Sequence, residues 1–214
     1  TINTHGGVFS VNAGKAVYFW TDSTINTHGG DFSVNIGDEV FMKLNTIDTN
    51  GGYLDINASY VDIDFSSIDT HGGDFYADSA GDAFLYDSTI NTQGGDFYAN
   101  AGDEFFMKLS TIDANGGNIG IIGSRTGFTY SSLVTDATGG IDINADGTGI
   151  NLFGTTLSSG SGGLSITGSS DSGIGVLLQD AQLQSTSGNV LITGMGQGAS
   201  AHGVSMKGDA TSIK

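Results

Sequence analysis

The sequence predicts an all-β fold, a right-handed parallel β-helix (β-solenoid) of about nine rungs of ~22 residues, with three short strands per rung. Three observations predict it: a Gly-Gly-like pair that returns at nearly constant spacing, apolar residues at every second position after each pair, and many turns without proline. The pairs start at Gly6, Gly29, Gly51, Gly72, Gly94 and Gly116 and continue in weaker form at Thr138, Ser161 and Ser187. Their spacings are 23, 22, 21, 22, 22, 22, 23 and 26 residues. The chain has 36 glycines and no proline, which suits corners turned by Gly and Asn with every N–H kept for a ladder.

The elements of a rung follow in order. Four residues before each pair comes an aliphatic: Ile2, Ile25, Ile47, Ile68, Ile90, Ile112, Val134, Leu157 and Leu183. These mark a first strand with one inward residue. Three residues after each pair start comes Phe9, Phe32, Leu54, Phe75, Phe97, Ile119, Ile141, Leu164 or Val190, and two further on Val11, Val34, Ile56, Ala77, Ala99, Ile121, Ile143, Ile166 or Ile192. This period of two means a strand with one face in and one face out. A small residue or Gly then marks a corner, as in Ala13-Gly14, Ile36-Gly37 and Ala101-Gly102. The third strand is clearest in Val40, Met42 and Leu44 and in Phe105, Met107 and Leu109, all expected to point inward. Parallel strands joined in this way cross over right-handedly.

A longer period lies above the rung. Residues 23–52 and 88–117 match at 23 of 30 positions, an offset of 65 residues or three rungs. Residues 1–131 are therefore strongly repetitive, and 132–214 read as degenerate Gly/Ser-rich rungs of the same single segment. One rung buries too little apolar surface to offset the entropy of ordering its residues, so stability must be collective. The chain starts and stops in mid-pattern, which reads as an excerpt of a longer repeat protein with its targeting signals elsewhere.

Composition narrows the function. The 214 residues carry 23 acids against 6 bases, a formal charge of −17, which argues against nucleic acid and anionic lipid as partners. Cysteine is absent, removing disulfides, thiolate metal sites and thiol nucleophiles. No apolar run is long enough to insert in a membrane. Polysaccharide lyases of this shape need a basic residue to neutralise a uronate and take a proton, and Arg125 is the sole arginine. A glycosidase needs one particular pair of carboxylates, whereas these acids recur with the repeat. No Ser-His-Asp set, phosphate loop or long groove-building loop stands out, so no catalysis is expected. Ice binding wants a regular Thr-x-Thr plane, but Thr24 and Thr27 lie three apart.

The pattern aliphatic-x-x-x-Gly-Gly-x-apolar-x-apolar-x-Ala-Gly, seen from Ile2 to Gly14 and from Ile90 to Gly102, resembles the repeats of filamentous haemagglutinin-like exoproteins of the two-partner (type V) secretion route. The resemblance covers essentially the whole chain. It implies a secreted, extracellular, rod-like β-helix at the bacterial cell surface, serving as the structural or adhesive shaft of an adhesin. Its partners would be glycans or proteins of a host or neighbouring cell, or other copies of itself. A subunit of a homopolymeric extracellular filament or sheath is the neighbouring reading, with a carbohydrate-binding or polysaccharide-degrading β-helix behind it.

Three sets of side chains invite chemistry. His5, His28 and His71 precede their Gly pairs, with Asn50, Gln93 and Asn115 at the equivalent place, and read as polar corner residues. Asn3, Asn26, Asp48, Asp69, Asn91 and Asp113 form a second column. Within it Asp48 and Asp69 fall on adjacent rungs, where a Ca²⁺ would relieve their repulsion. No other cofactor is suggested, and Asp38-Glu39, repeated as Asp103-Glu104, reads as a solvated acidic face. If Val40, Met42 and Leu44 point inward, the outer face of the third strand carries Tyr18, Phe41, Phe84 and Phe106 in one column, broken by Asp62. Trp20, Lys43, Tyr86 and Lys108 fall in the next. Aromatic residues at this density on an outer face mark an interaction surface.

Overall fold

The computed structural model describes residues 1–199 and 201–214 and shows twenty-six strands, with no helix among the described residues. The chain is a parallel β-solenoid of about nine turns. A ten-stranded sheet runs up one side from Ile2–Asn3 to Ser212–Ile213, and a sixteen-stranded sheet holds the second and third strands of every rung.

The register follows the sequence columns. Ile2 pairs with Ile25, Ile47 with Ile68, and Ile90 with Ile112. In the second strand Phe9 meets Phe32, Phe75 meets Phe97, and Ile141 meets Leu164. These residues are the core: Ile25, Phe32, Leu54, Phe97 and Ile143 are all essentially inaccessible to water. Phenylalanines stack along the inside, with Phe75 and Phe97 centroids 5.0 Å apart. Ile2, Phe9, Val190 and Ile192 on the terminal rungs are only partly buried, because each is covered from one side.

Five of the corners after the first strand use the same chemistry. The side-chain oxygen of the Asn/Asp column accepts the backbone N–H two residues on: Asn26 from His28 at 2.9 Å, Asp69 from His71 at 2.9 Å, Asp113 from Asn115 at 3.0 Å. That Asx turn suits the left-handed backbone of the next-but-one residue, φ +52° at His28 and +49° at His71. The Thr between them is buried, and its hydroxyl donates to the carbonyl three residues on, as Thr70 does to Gly73. The His/Asn/Gln column is thus set by backbone conformation, and one Thr of each Thr-Ile-Asn-Thr motif is committed to the corner. The second Gly is needed for contact between rungs: a Cβ on Gly73 would lie 2.1 Å from the Gly52 carbonyl oxygen.

Three sequence expectations need correction. Leu133, not Val134, faces inward opposite Ile112, because the following corner has gained one residue and counting back from Thr138 slips the register. Leu44 and Leu109 point outward. The third strand ends one residue earlier, at Lys43 and Lys108, and the next residue takes φ +56° or +52°, which swings its side chain into solvent. Their inward places are taken by Asn45 and Ser110 in a buried polar ladder. In it Ser88 Oγ accepts the Ser66 N–H and Ser110 Oγ accepts the Ser88 N–H, each at 3.0 Å. Finally, two of the later rungs do not keep three separate strands, although the rungs after them do. Second and third strands run together as Ile119–Thr129 and Gly140–Phe153, with a register shift where the earlier corner stood.

Candidate interaction surface

On the outer face of the third strand, Tyr18, Phe41, Asp62, Phe84 and Phe106 occupy one column by direct pairing. Lys43, Asp64, Tyr86 and Lys108 occupy the next, and Trp20 follows Phe19 at the end of the first-rung strand. The rings touch in an unbroken path. Centroids are separated by 5.7 Å from Trp20 to Tyr18, 5.0 Å to Phe41, 5.5 Å to Tyr60, 5.5 Å to Phe84, 5.8 Å to Tyr86 and 5.9 Å to Phe106. Seven rings thus span five rungs. Tyr60 is the member that sequence columns missed. It stands beside Asp62 in a third outward column, opposite Glu39, and bridges the gap that Asp62 makes. Its signal was its outward parity with Asp62 on the same strand.

The ladder ends on glycine. A Cβ at Gly127 would lie 2.8 Å from the Phe106 ring, so the ring lies across the bare backbone of the next rung. Tyr98 covers Gly120 in the same way, and Tyr130 covers Gly154.

Charges are woven among the rings. Lys43 Nζ lies 2.9 Å from Asp64 and 5.8 Å from the Phe65 ring centroid. Arg125 pairs with Glu104. Lys108 is exposed and has no ion-pair partner among the described residues. Asp62 is half-buried, and one of its carboxylate oxygens has no hydrogen-bond partner. Burial, followed by the charge of Asp64, raises its pKa, while Lys43 pulls it back. Burial, then the charge of Asp62, pushes the Tyr60 phenol up to about 12, so this ring stays neutral at any physiological pH.

Beside the ladder runs an apolar ridge at the corner: Leu44, Phe65, Leu109 and Tyr130, between 41 and 57% exposed. All four have φ between +49° and +56°, a conformation that costs a bulky residue on the order of 1–3 kcal/mol. At the other corner the left-handed residue is a polar His, Asn or Gln, held at most rungs by the Asx turn. Here large apolar side chains are kept despite both backbone and solvent.

Asp48 and Asp69 are paired on adjacent rungs as expected. His71 Nδ1 lies 3.2 Å from Asp48 Oδ1 and 3.1 Å from Asp69 Oδ1, and Gln93 Nε2 donates to both Asp69 oxygens at 3.0 and 2.8 Å. A cation between the carboxylates would have to displace His71. Among the described residues no three His, Asp or Glu side chains gather as a metal would require. His5 and His28 simply stack, 5.6 Å apart.

A second surface, on the outer face of the second strand, has no counterpart in the sequence reading. Tyr53, Tyr76 and Tyr98 border an open trough with Asp55, Asp78 and Asn100. It continues into a hollow of about 820 Å³ over Gly120, Gly140 and Gly162, flanked by Asp96 and Asp142. Several acids here have structural work: Asp74 accepts the Asp96 N–H at 2.8 Å and Asp96 the Asn118 N–H at 2.7 Å, stapling one rung to the next.

No protein-family model, curated protein or solved structure gives a significant match to this chain. Its function is therefore argued from its own residues.

Proposed function

We propose that this chain is a structural and adhesive shaft segment of a secreted bacterial surface protein of the filamentous haemagglutinin-like kind, with the third-strand face as its contact surface. The observation that carries the reading is the unbroken first-strand ladder, ten strands in parallel register from Ile2 to Ile213. A rod in which every rung hydrogen-bonds to both neighbours resists bending, and adding rungs extends it without changing its surface chemistry. The ladder of seven rings and the apolar ridge beside it supply area for a partner on one side of that rod. Acidic residues elsewhere keep rods soluble and apart. The test is immunogold electron microscopy of intact, unpermeabilised producing cells with antibodies raised against this chain. Gold on surface fibres is expected. Label reached only after permeabilisation, over the cytoplasm, would overturn the proposal.

A further inference from the structure

We infer that the third-strand face pairs with the same face of a second copy, the two rods running antiparallel about a twofold axis along the strand direction at the Phe84–Tyr86 rung. This rests on the reading of that face as a contact surface and names its partner. Three observations support it. First, the corner ridge is built at a conformational disadvantage, with Leu44, Phe65, Leu109 and Tyr130 exposed in the left-handed region where Asn or Gly would be cheaper. Second, the ridge is symmetric about the rung of Asp87. Going up the rod it reads Leu44, Phe65, Asp87, Leu109, Tyr130, so reversal sets Leu44 against Tyr130 and Phe65 against Leu109. Third, two opposite-charge pairs form under the same operation. Lys108 falls opposite Asp64, and Arg125 falls opposite Glu39. Phe84 meets its own copy on the axis.

Charge opposes a second copy less here than on the neighbouring face. Lys43, Lys108 and Arg125, half of the chain's six basic residues, stand among Glu39, Asp62, Asp64, Asp82 and Glu104 on this face, in a molecule of net charge −17. The second-strand face, with Asp55, Asp74, Asp78, Asp96 and Asp142, would repel itself. Six rung spacings of about 4.8 Å and a width of roughly 15 Å give an interface on the order of 450 Å² per copy. That is small, and a dissociation constant on the order of 0.1 mM is expected. The twofold also brings Asp82 and Asp87 of the axial rung against their own copies, which weakens the pair.

Sedimentation equilibrium of the purified chain across the micromolar to millimolar range tests this, with circular dichroism as the folding control. The wild type should shift from monomer to dimer and go no further. Phe65→Asn with Leu109→Asn suits the left-handed backbone, so it should fold at least as well yet lose dimerisation by tenfold or more. Lys108→Asp should loosen the dimer, and adding Asp64→Lys should restore it; Asp87→Asn should tighten it. A chain that stays monomeric at every concentration overturns the inference. So does a dimer indifferent to the Asn pair, or one that the Lys108/Asp64 exchange fails to restore. Surface labelling of cells is unaffected by any of these outcomes, so the shaft reading stands or falls separately.

Discussion

At the scale of single residues, the repeat is a set of corner solutions, and two glycines show how sharply they differ. A Cβ on Gly73 would meet the Gly52 carbonyl oxygen at 2.1 Å, backbone against backbone with no side chain able to yield. Gly73→Ala is expected to cost at least ~3 kcal/mol in urea denaturation. Gly14 has nothing within 4 Å of its Cβ position, and Gly14→Ala should leave the urea midpoint unchanged within error. Asp62 gives a pH prediction. Burial holds its folded pKa above the ordinary value of 3.8, so the folded state binds its proton more tightly than the unfolded one. Its contribution to stability therefore falls as pH rises from about 3.8 through the raised value, and it is a net burden at pH 7. Asp62→Asn should raise the melting temperature at pH 7, with the difference shrinking towards zero below that window. A variant that melts lower at pH 7 would show that the carboxylate is held by favourable contacts instead.

At the scale of the element, a strand of three to five residues is too short to be stable alone, and its neighbours above and below decide its worth. Phe9 and Phe97 occupy the same column, yet Phe97 is inaccessible to water between two rungs whereas Phe9 is partly open. Phe97→Ala should cost about 3–5 kcal/mol and Phe9→Ala clearly less, measured by chemical denaturation. Equal losses would mean that rungs fold independently of their position. The buried Ser ladder beneath the ridge shows the same logic in polar form. Ser66, Ser88 and Ser110 each give a hydroxyl oxygen to the preceding rung's N–H, so those backbone donors are satisfied between rungs, while the side-chain oxygen of Asn45 at the foot of the ladder is buried without a partner.

At the scale of the whole molecule, length is modular because the register is. Thr24 and Thr89 occupy the same column, three rungs apart. Deleting residues 25–89 joins Thr24 to Ile90 and preserves the local sequence Thr-Ile-Asn. The shortened chain should unfold cooperatively and be shorter by about 14 Å in small-angle scattering. Deleting residues 55–76 instead removes one residue more than separates Leu54 from its partner Phe75 and sets inward Leu54 directly beside inward Ala77, so that strand loses its alternation and the chain should not give a stable rod. A deletion that ignores register and still folds would contradict the ladder. The same modularity bears on pairing, since the 25–89 deletion removes Leu44, Phe65 and Asp87 together and leaves Leu109 and Tyr130 without the counterparts they need.

Columns with one dominant physical demand were legible in the sequence. The inward Ile and Phe columns, the Gly corners and the outward run of Tyr18, Phe41, Phe84 and Phe106 each follow from alternation or from spacing, which parallel stacking copies from rung to rung. Three things depended on the fold itself. The end of the third strand is set by a left-handed residue that alternation does not announce, so Leu44 and Leu109 turned outward and became a ridge. Tyr60 joins the ring ladder through space, from a different column, where only side-chain reach decides contact. The Asp48–Asp69 pair is met by His71 because the corner turns its ring back over them. Sequence by itself determined the solenoid and, wherever the corner keeps its length, its register, since both repeat every rung. Tertiary structure decided the surface, because outward groups are constrained by corner geometry and by neighbours that no single rung contains.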